Sequence, residues 1–192
     1  MLVWATQTCF AASAADPGLR VEPPKAIVGA ALIDSQGRPT AFPLKNGKWQ
    51  LVFFGYTHCP DVCPMTLHKT AMFLKALGGQ AGRVQPVFIT VDSQRDNPKA
   101  VGEFTVKFDK RVLGLTGDAE TLQTVANEFG VLTRRFQGKT ALAYTLEHSS
   151  FLYLLDPLGR VRLMFPATAD VAALTHEVEK MWQENTAHTV PK

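Results

Sequence analysis

The sequence predicts an α/β fold with a central mixed sheet flanked by helices and an N-terminal hairpin extension. Two observations carry this. Two continuous apolar runs, L-V-F-F at 51–54 and V-F-I-T-V at 87–91, are each followed by a helical pattern, as strands of a sheet covered on both faces require. Further on, S-S-F-L-Y-L-L-D at 149–156 runs into a D-P-L-G turn and returns through V-R-L-M-F, an antiparallel hairpin that makes the sheet mixed. The 192 residues suit one domain with a sizeable core and terminal extensions. Hydrophobic content of 46% and charged content of 19% are those of a globular protein. A net charge of +3 without a long basic block excludes nucleic acid as a partner.

Residues 1–15 carry no charge and end in small residues, and A-S-A at 12–14 suits a secretory cleavage site. They read as the remnant of a signal peptide whose true start lies upstream. The expectation is export to an oxidising compartment, the bacterial periplasm, with residues 1 to about 14 removed and the product free or tethered to the inner membrane. No stretch reaches the roughly 18 apolar residues of a spanning helix. Pro17, Gly18, Pro23 and Pro24 make 16–25 a linker, so residues 1–25 precede a domain at 26–186, with a tail at 187–192.

Within that domain, Ala26 to Ile33 and Thr40 to Leu44 flank D-S-Q-G and predict a small hairpin. N-G at 46–47 turns the chain into a strand at Trp49 to Phe54. The helix after Cys63 shows Leu67, Ala71, Leu74 and Leu77 at helical spacing and stops at Gly78-Gly79. A buried strand ends at Asp92, and S-Q-R-D-N-P is a polar loop. Val101, Phe104, Val106 and Phe108 then mark a helix, and Val112 to Leu115 a short strand. A helix over Asp118 to Phe129 closes at Gly130, Val131 to Phe136 is extended, and 137–147 is a flexible connection. The hairpin from 149 and a helix over Val171 to Trp182 complete the order β-α-β-α-β-α-β-β-α. That order is a thioredoxin-like arrangement. Sites form at the carboxyl ends of such parallel strands, where Cys59, Cys63 and Asp92 fall.

The chain has three cysteines, Cys9, Cys59 and Cys63. One close pair and one distant residue exclude a disulfide-stapled scaffold. Pro60 pushes Cys59 toward extended backbone. With Asp61 as N-cap, Pro64 takes the third helical position, where its missing N–H costs nothing. Cys59 then lies in the loop and Cys63 in the first helical turn, where the helix dipole favours a thiolate. Such a pair can bind a soft metal, cycle between dithiol and disulfide, or form a structural disulfide. The spacing is one residue longer than the C-x-x-C of redox enzymes, which weakens the second reading.

F-G-Y-T-H-C-P-D-V-C-P at 54–64 closely resembles the signature of the Sco/SenC copper chaperones. V-D-S-Q-R-D-N-P at 91–98, L-T-G at 115–117 and H-S-S-F-L-Y-L-L-D-P at 148–157 resemble further blocks of that family, in the same order. The resemblance spans about residues 40 to 180 and implies a thioredoxin-like fold. It implies copper, as Cu(I) and Cu(II), bound by Cys59, Cys63 and His148, and its delivery to the dinuclear copper centre of cytochrome oxidase. The implied partners are the copper-bearing oxidase subunit or another copper protein, and a periplasmic thiol reductase. Some members act as thiol–disulfide reductases, which would make Cys59 and Cys63 a redox pair. Two positions depart from the family pattern: Ser93 replaces the usual proline, and Glu147 stands where aspartate precedes the histidine.

The chemistry agrees with a copper site. Thiolates are soft and prefer Cu(I), and imidazole suits either oxidation state. Two cysteines and a histidine leave the ion open for handover, whereas a structural zinc site takes four ligands. His58 is the only nearby candidate for a fourth. His148 sits at a predicted strand start, while His68, His176 and His188 read as exposed helix or tail residues. Asp92, Arg95 and Asp96 are either a structural ion-pair network or support for the ligands and a partner contact. A peroxidase of this fold would need neither His148 nor the second cysteine.

Overall fold

The computed structural model describes residues 18–140 and 143–187. In chain order the elements are β1 (Leu19–Ala26), β2 (Ala30–Asp34), β3 (Pro39–Phe42), β4 (Trp49–Gly55), α1 (Val62–Ala76) and β5 (Val84–Thr90). They continue with α2 (Pro98–Val106), β6 (Leu113–Thr116), α3 (Ala119–Glu128), β7 (Thr133–Gln137), β8 (Tyr144–His148), β9 (Phe151–Leu155), β10 (Arg160–Pro166) and α4 (Val171–Ala187). A 3-10 segment, Gly78–Arg83, links α1 to β5. Among the described residues, no helix is long and apolar enough to cross a membrane.

Every residue of β4 is buried, because β4 lies inside an eight-stranded sheet of order β1-β10-β9-β4-β5-β6-β2-β3. It runs parallel to β5 and antiparallel to β9. Alternate side chains therefore enter two cores. Leu51 and Phe53 meet Leu67, Phe73 and Leu74 of α1 and Leu174, Val178 and Met181 of α4. Val52 and Phe54 face Leu122, Val125, Ala126 and Phe129 on the other side. This double coverage is why the run is apolar without a break. Each fully buried Leu or Phe contributes about 1.5–3 kcal/mol over its exposed state. Gln50, also fully buried, is satisfied by Leu44: its amide oxygen accepts from Leu44 N at 2.9 Å and its nitrogen donates to Leu44 O at 3.1 Å.

The expected α/β arrangement holds, with three differences. Residues 19–26 are not linker but strand β1, paired antiparallel with β10. The register shifts between Arg20 and Lys25, where Pro23 and Pro24 sit, and an edge strand with an irregularity tolerates proline. The N-terminal hairpin is not an appendage. Strand β2 pairs with β6, so the hairpin forms one end of the sheet. Finally, the stretch read as a flexible connection holds β8, which pairs antiparallel with β7 in a separate two-stranded sheet. Strand β7 falls in the stretch expected to be extended, although it is exposed at every position. His148 thus ends one strand rather than starting the next. The last helix runs on to Ala187. The leader reading of residues 1–15, Cys9 and His188 lie outside the described residues.

Gly55, the last residue of β4, is where the fold meets its cysteines. A methyl there would stand 2.8 Å from Cys63 Sγ, 2.8 Å from Phe88 Cε2 and 3.1 Å from Phe53 Cε1. Gly55→Ala is expected to destabilise the protein by about 1–3 kcal/mol through overpacking, read from urea unfolding. An unchanged midpoint would show that the core has slack at this point.

Candidate metal centre

The loop after β4 is set by backbone bonds: Val91 N–H donates to Gly55 O at 2.8 Å and Cys59 N–H to Tyr56 O at 3.2 Å. Helix α1 then begins at Val62, with Pro64 third, and the Asp61 side chain makes no capping bond. The first-turn amide of Cys63 instead donates to Cys59 Sγ at 3.4 Å. A sulfur takes the place of a capping oxygen at one of the free helix donors. Cys63 is fully buried and Cys59 half-buried, and neither is in a disulfide.

His148 arrives from a position 85 residues away, its Nε2 at 3.6 Å from Cys63 Sγ. Its Nδ1 lies 3.2 Å from the Ser149 carbonyl. With the proton on Nδ1 donated there, the Nε2 lone pair faces the sulfur. The ring packs edge-on against Phe53 and Tyr56, at centroid distances of 6.0 and 6.2 Å. Cys63 links the set, its amide holding Cys59 Sγ and its own sulfur facing His148 Nε2. Among the described residues, no group of three His, Cys, Asp or Glu side chains already surrounds a metal position.

The two thiols share their protons unequally. The neighbouring Cys63 thiol lowers the Cys59 pKa to about 3, against the opposing effect of burial, and the Asp61 and Cys63 amides lower it further. The Cys63 pKa is raised by its Cys59 neighbour and by burial. The pull is toward Cys59, rather than Cys63, as the first of the two to ionise. The reason is local: the helix amide points at Cys59, while the Cys63 sulfur is sealed in the core. A bound cation would displace the remaining proton, as metal binding to thiols does.

Two polar groups hold the loops around the sulfurs. Asp96, wholly buried, accepts from Thr57 N at 2.8 Å, Thr57 Oγ1 at 2.6 Å and Thr90 Oγ1 at 2.6 Å. It clamps the start of the Cys59 loop to the end of β5. Asp92 accepts from Arg95 Nε at 2.6 Å and from the Tyr144 hydroxyl. Arg95 also donates to Tyr144 O at 2.9 Å and stacks 3.6 Å over that ring. Leu146 N–H donates to the Tyr56 hydroxyl at 3.3 Å. Strand β8, which ends in His148, is thus pinned at two points. Burial and the bond to Asp92 raise the Tyr144 pKa to about 12, so it stays a donor.

Asp92, Arg95 and Asp96 are therefore a supporting network one layer behind the sulfurs and the imidazole. Tyr56 and Tyr144 belong to it and went unread in the sequence; Tyr56 lies inside the cysteine block, whereas nothing local marks Tyr144. His58 is turned away: its Nδ1 is 3.0 Å from Thr57 Oγ1 and 3.7 Å from Asp96 Oδ1, and its side chain is 56% exposed. His68 and His176 are exposed helix residues. Glu147 is exposed opposite Arg134 on the hairpin.

Comparison with known proteins adds the following. A family model described as SCO1/SenC matches residues 24–183. The mitochondrial SCO2 homologue of Bos taurus is 34% identical over 151 residues, covering 78% of this chain and 57% of that protein. The chain spans about half the length of the curated relatives it matches. Arabidopsis thaliana ScoI, solved with copper bound, is 32% identical with a TM-score of 0.76, covering 82% of this chain and 98% of that one. Bradyrhizobium japonicum ScoI, also solved with copper bound, is 32% identical with a TM-score of 0.74, covering 81% and 98%.

Tyr144→Phe tests the pinning of β8. Removing a hydrogen bond to a buried carboxylate is expected to cost about 1.5–3 kcal/mol and to speed hydrogen exchange at the Leu146 amide. Unchanged exchange there would mean that the Asp92–Tyr144 bond does not hold the His148 strand.

Proposed function

The chain belongs to the SCO1/SenC family, and from that premise we propose that it is a copper metallochaperone. It binds Cu(I) and Cu(II) through Cys59, Cys63 and His148 and delivers copper to the dinuclear centre of cytochrome oxidase. The observation that carries this reading is the 3.6 Å approach of His148 Nε2 to Cys63 Sγ, beside a Cys59 sulfur held at the Cys63 amide. Two thiolates and an imidazole suit Cu(I), and the imidazole adds the nitrogen that Cu(II) prefers. That two relatives were solved with copper bound supports the choice of metal.

The roles divide by burial. Cys59 is half-buried and the more easily ionised of the two, so it meets an incoming ion first. Cys63 gives up its proton as the ion settles, and His148 completes the set from the hairpin. Release runs in the other order: His148 withdraws with the hairpin, and acceptor thiolates take the ion as Cys63 and then Cys59 let go. The acceptor is the copper-bearing oxidase subunit or another copper protein. A Cys59–Cys63 disulfide and a loaded site exclude each other, so in an oxidising compartment a periplasmic thiol reductase acts before loading. The chain ahead of β1 is the export remnant or tether, and the copper-binding unit runs from β1 to the end of α4.

The low Cys59 pKa also favours a second reading, thiol–disulfide reduction of the acceptor. Cys59 thiolate would attack a partner disulfide, expelling one partner thiolate and forming a mixed disulfide. Cys63, losing its proton, would then attack Cys59 sulfur and release the second partner thiol. His148→Ala separates the two. Under the chaperone reading it weakens Cu(I) binding, nearly abolishes Cu(II) binding and slows formation of the dinuclear centre in an apo oxidase domain, followed by its visible absorption. Unimpaired copper transfer by His148→Ala, together with loss of transfer in Cys63→Ser, would favour the reductase.

A further inference from the structure

The outward face of α1 carries an unusual set of side chains. Its buried stripe is Cys63, Thr66, Leu67, Thr70, Phe73 and Leu74. At about 100° per residue, Met65, His68 and Met72 fall on the opposite side within an arc of roughly 60°. Met65 is 57% exposed and Met72 48% exposed. Neither serves the core, and all three open onto one groove with Pro64, Phe108 and Asp170.

We infer that Met65, His68 and Met72 form a second, thiol-free binding site for Cu(I). His68 lies three residues after Met65 and four before Met72, so each thioether is its neighbour on the helix surface, about 5–6 Å away at Cβ. Methionine's flexible, polarisable arm lets both sulfurs swing over the imidazole. Two neutral thioethers are soft donors that select Cu(I), and the imidazole suits copper in either state, while Cu(II) and zinc favour nitrogen, oxygen or thiolate sets. The charges around the groove permit a cation. The Lys69 ammonium is committed to the Ala167 carbonyl, and burial lowers its pKa. The Asp170 carboxylate, which accepts from Ala173 N at 2.7 Å, adds negative charge nearby.

The ligand set has a consequence the cysteine pair lacks. Disulfide formation removes two thiolates but touches neither thioether nor imidazole, so this site keeps Cu(I) when Cys59 and Cys63 are oxidised. It begins two residues after Cys63 on the same helix, on the outer face that an approaching donor or acceptor meets. The inference does not depend on the proposed cysteine site.

The test is an anaerobic titration of the reduced full chain with Cu(I), following methionine methyl resonances and the metal retained. Binding of two ions per chain is expected, with the weaker one shifting the Met65 and Met72 methyls and the His68 ring together. The more enclosed Met164 and Met181 methyls should stay still. Met65→Leu/Met72→Leu, which keeps volume on an exposed face, should reduce retention from two ions to one. Cys59→Ser/Cys63→Ser should keep one ion and the same methionine shifts, an arm that stands even if the cysteine site binds nothing. Unmoved Met65 and Met72 methyls, or unchanged retention in the leucine variant, would assign these residues to apolar surface alone and overturn the inference.

Discussion

The central constraint is a single sulfur atom with no access to water. Cys63 Sγ is wedged between the end of β4, the first turn of α1 and the His148 ring, and it fits only because residue 55 has no side chain. A buried thiol in apolar surroundings ordinarily stays neutral and inert. Here it has two polar neighbours, and each fixes a different part of the chain. The Cys59 sulfur ties it to the loop, and the imidazole ties it to the hairpin of β7 and β8. Moving any of the three disturbs the other two, so sheet, helix and hairpin meet at one contact.

That contact also sorts the chemistry. One sulfur is half-open and held by a helix amide, the other is sealed in the core, and the imidazole is fixed by its own carbonyl acceptor. The proposed copper delivery would draw on such asymmetry: a ligand that an ion can reach, a ligand that yields a proton when the ion arrives, and a ligand that can withdraw. The hairpin suits the last role. It shares no strand pairing with the main sheet and is held to it by Asp92, Arg95, Tyr56 and Tyr144, where bonds can open without unfolding the core.

Much of the fold was legible because the physics was local. The unbroken apolar runs of β4 and β5 could only be interior strands, and the proline spacing around Cys59 and Cys63 marked the start of α1. Strand β1 was hidden because its two prolines argue for a linker until an edge position excuses them. Strand β7 was legible as extended chain, but β8 was hidden for another reason: of its five residues only Tyr144 is buried, so no apolar run marks it. Which sulfur the helix dipole serves was not legible, because the dipole is felt through one particular amide, and only the folded turn shows that this amide points at Cys59. Tyr144 acts across a contact 52 residues distant, which no local pattern encodes.

The central claim, that Cys59, Cys63 and His148 together hold the ion, is tested most directly by copper X-ray absorption on the reduced Met65→Leu/Met72→Leu protein loaded with one equivalent of Cu(I). The account predicts two sulfurs and one imidazole nitrogen around the metal, with the imidazole scattering lost in His148→Ala and both sulfurs retained. A first shell with no histidine contribution in the parent protein, or one that survives His148→Ala unchanged, would contradict it.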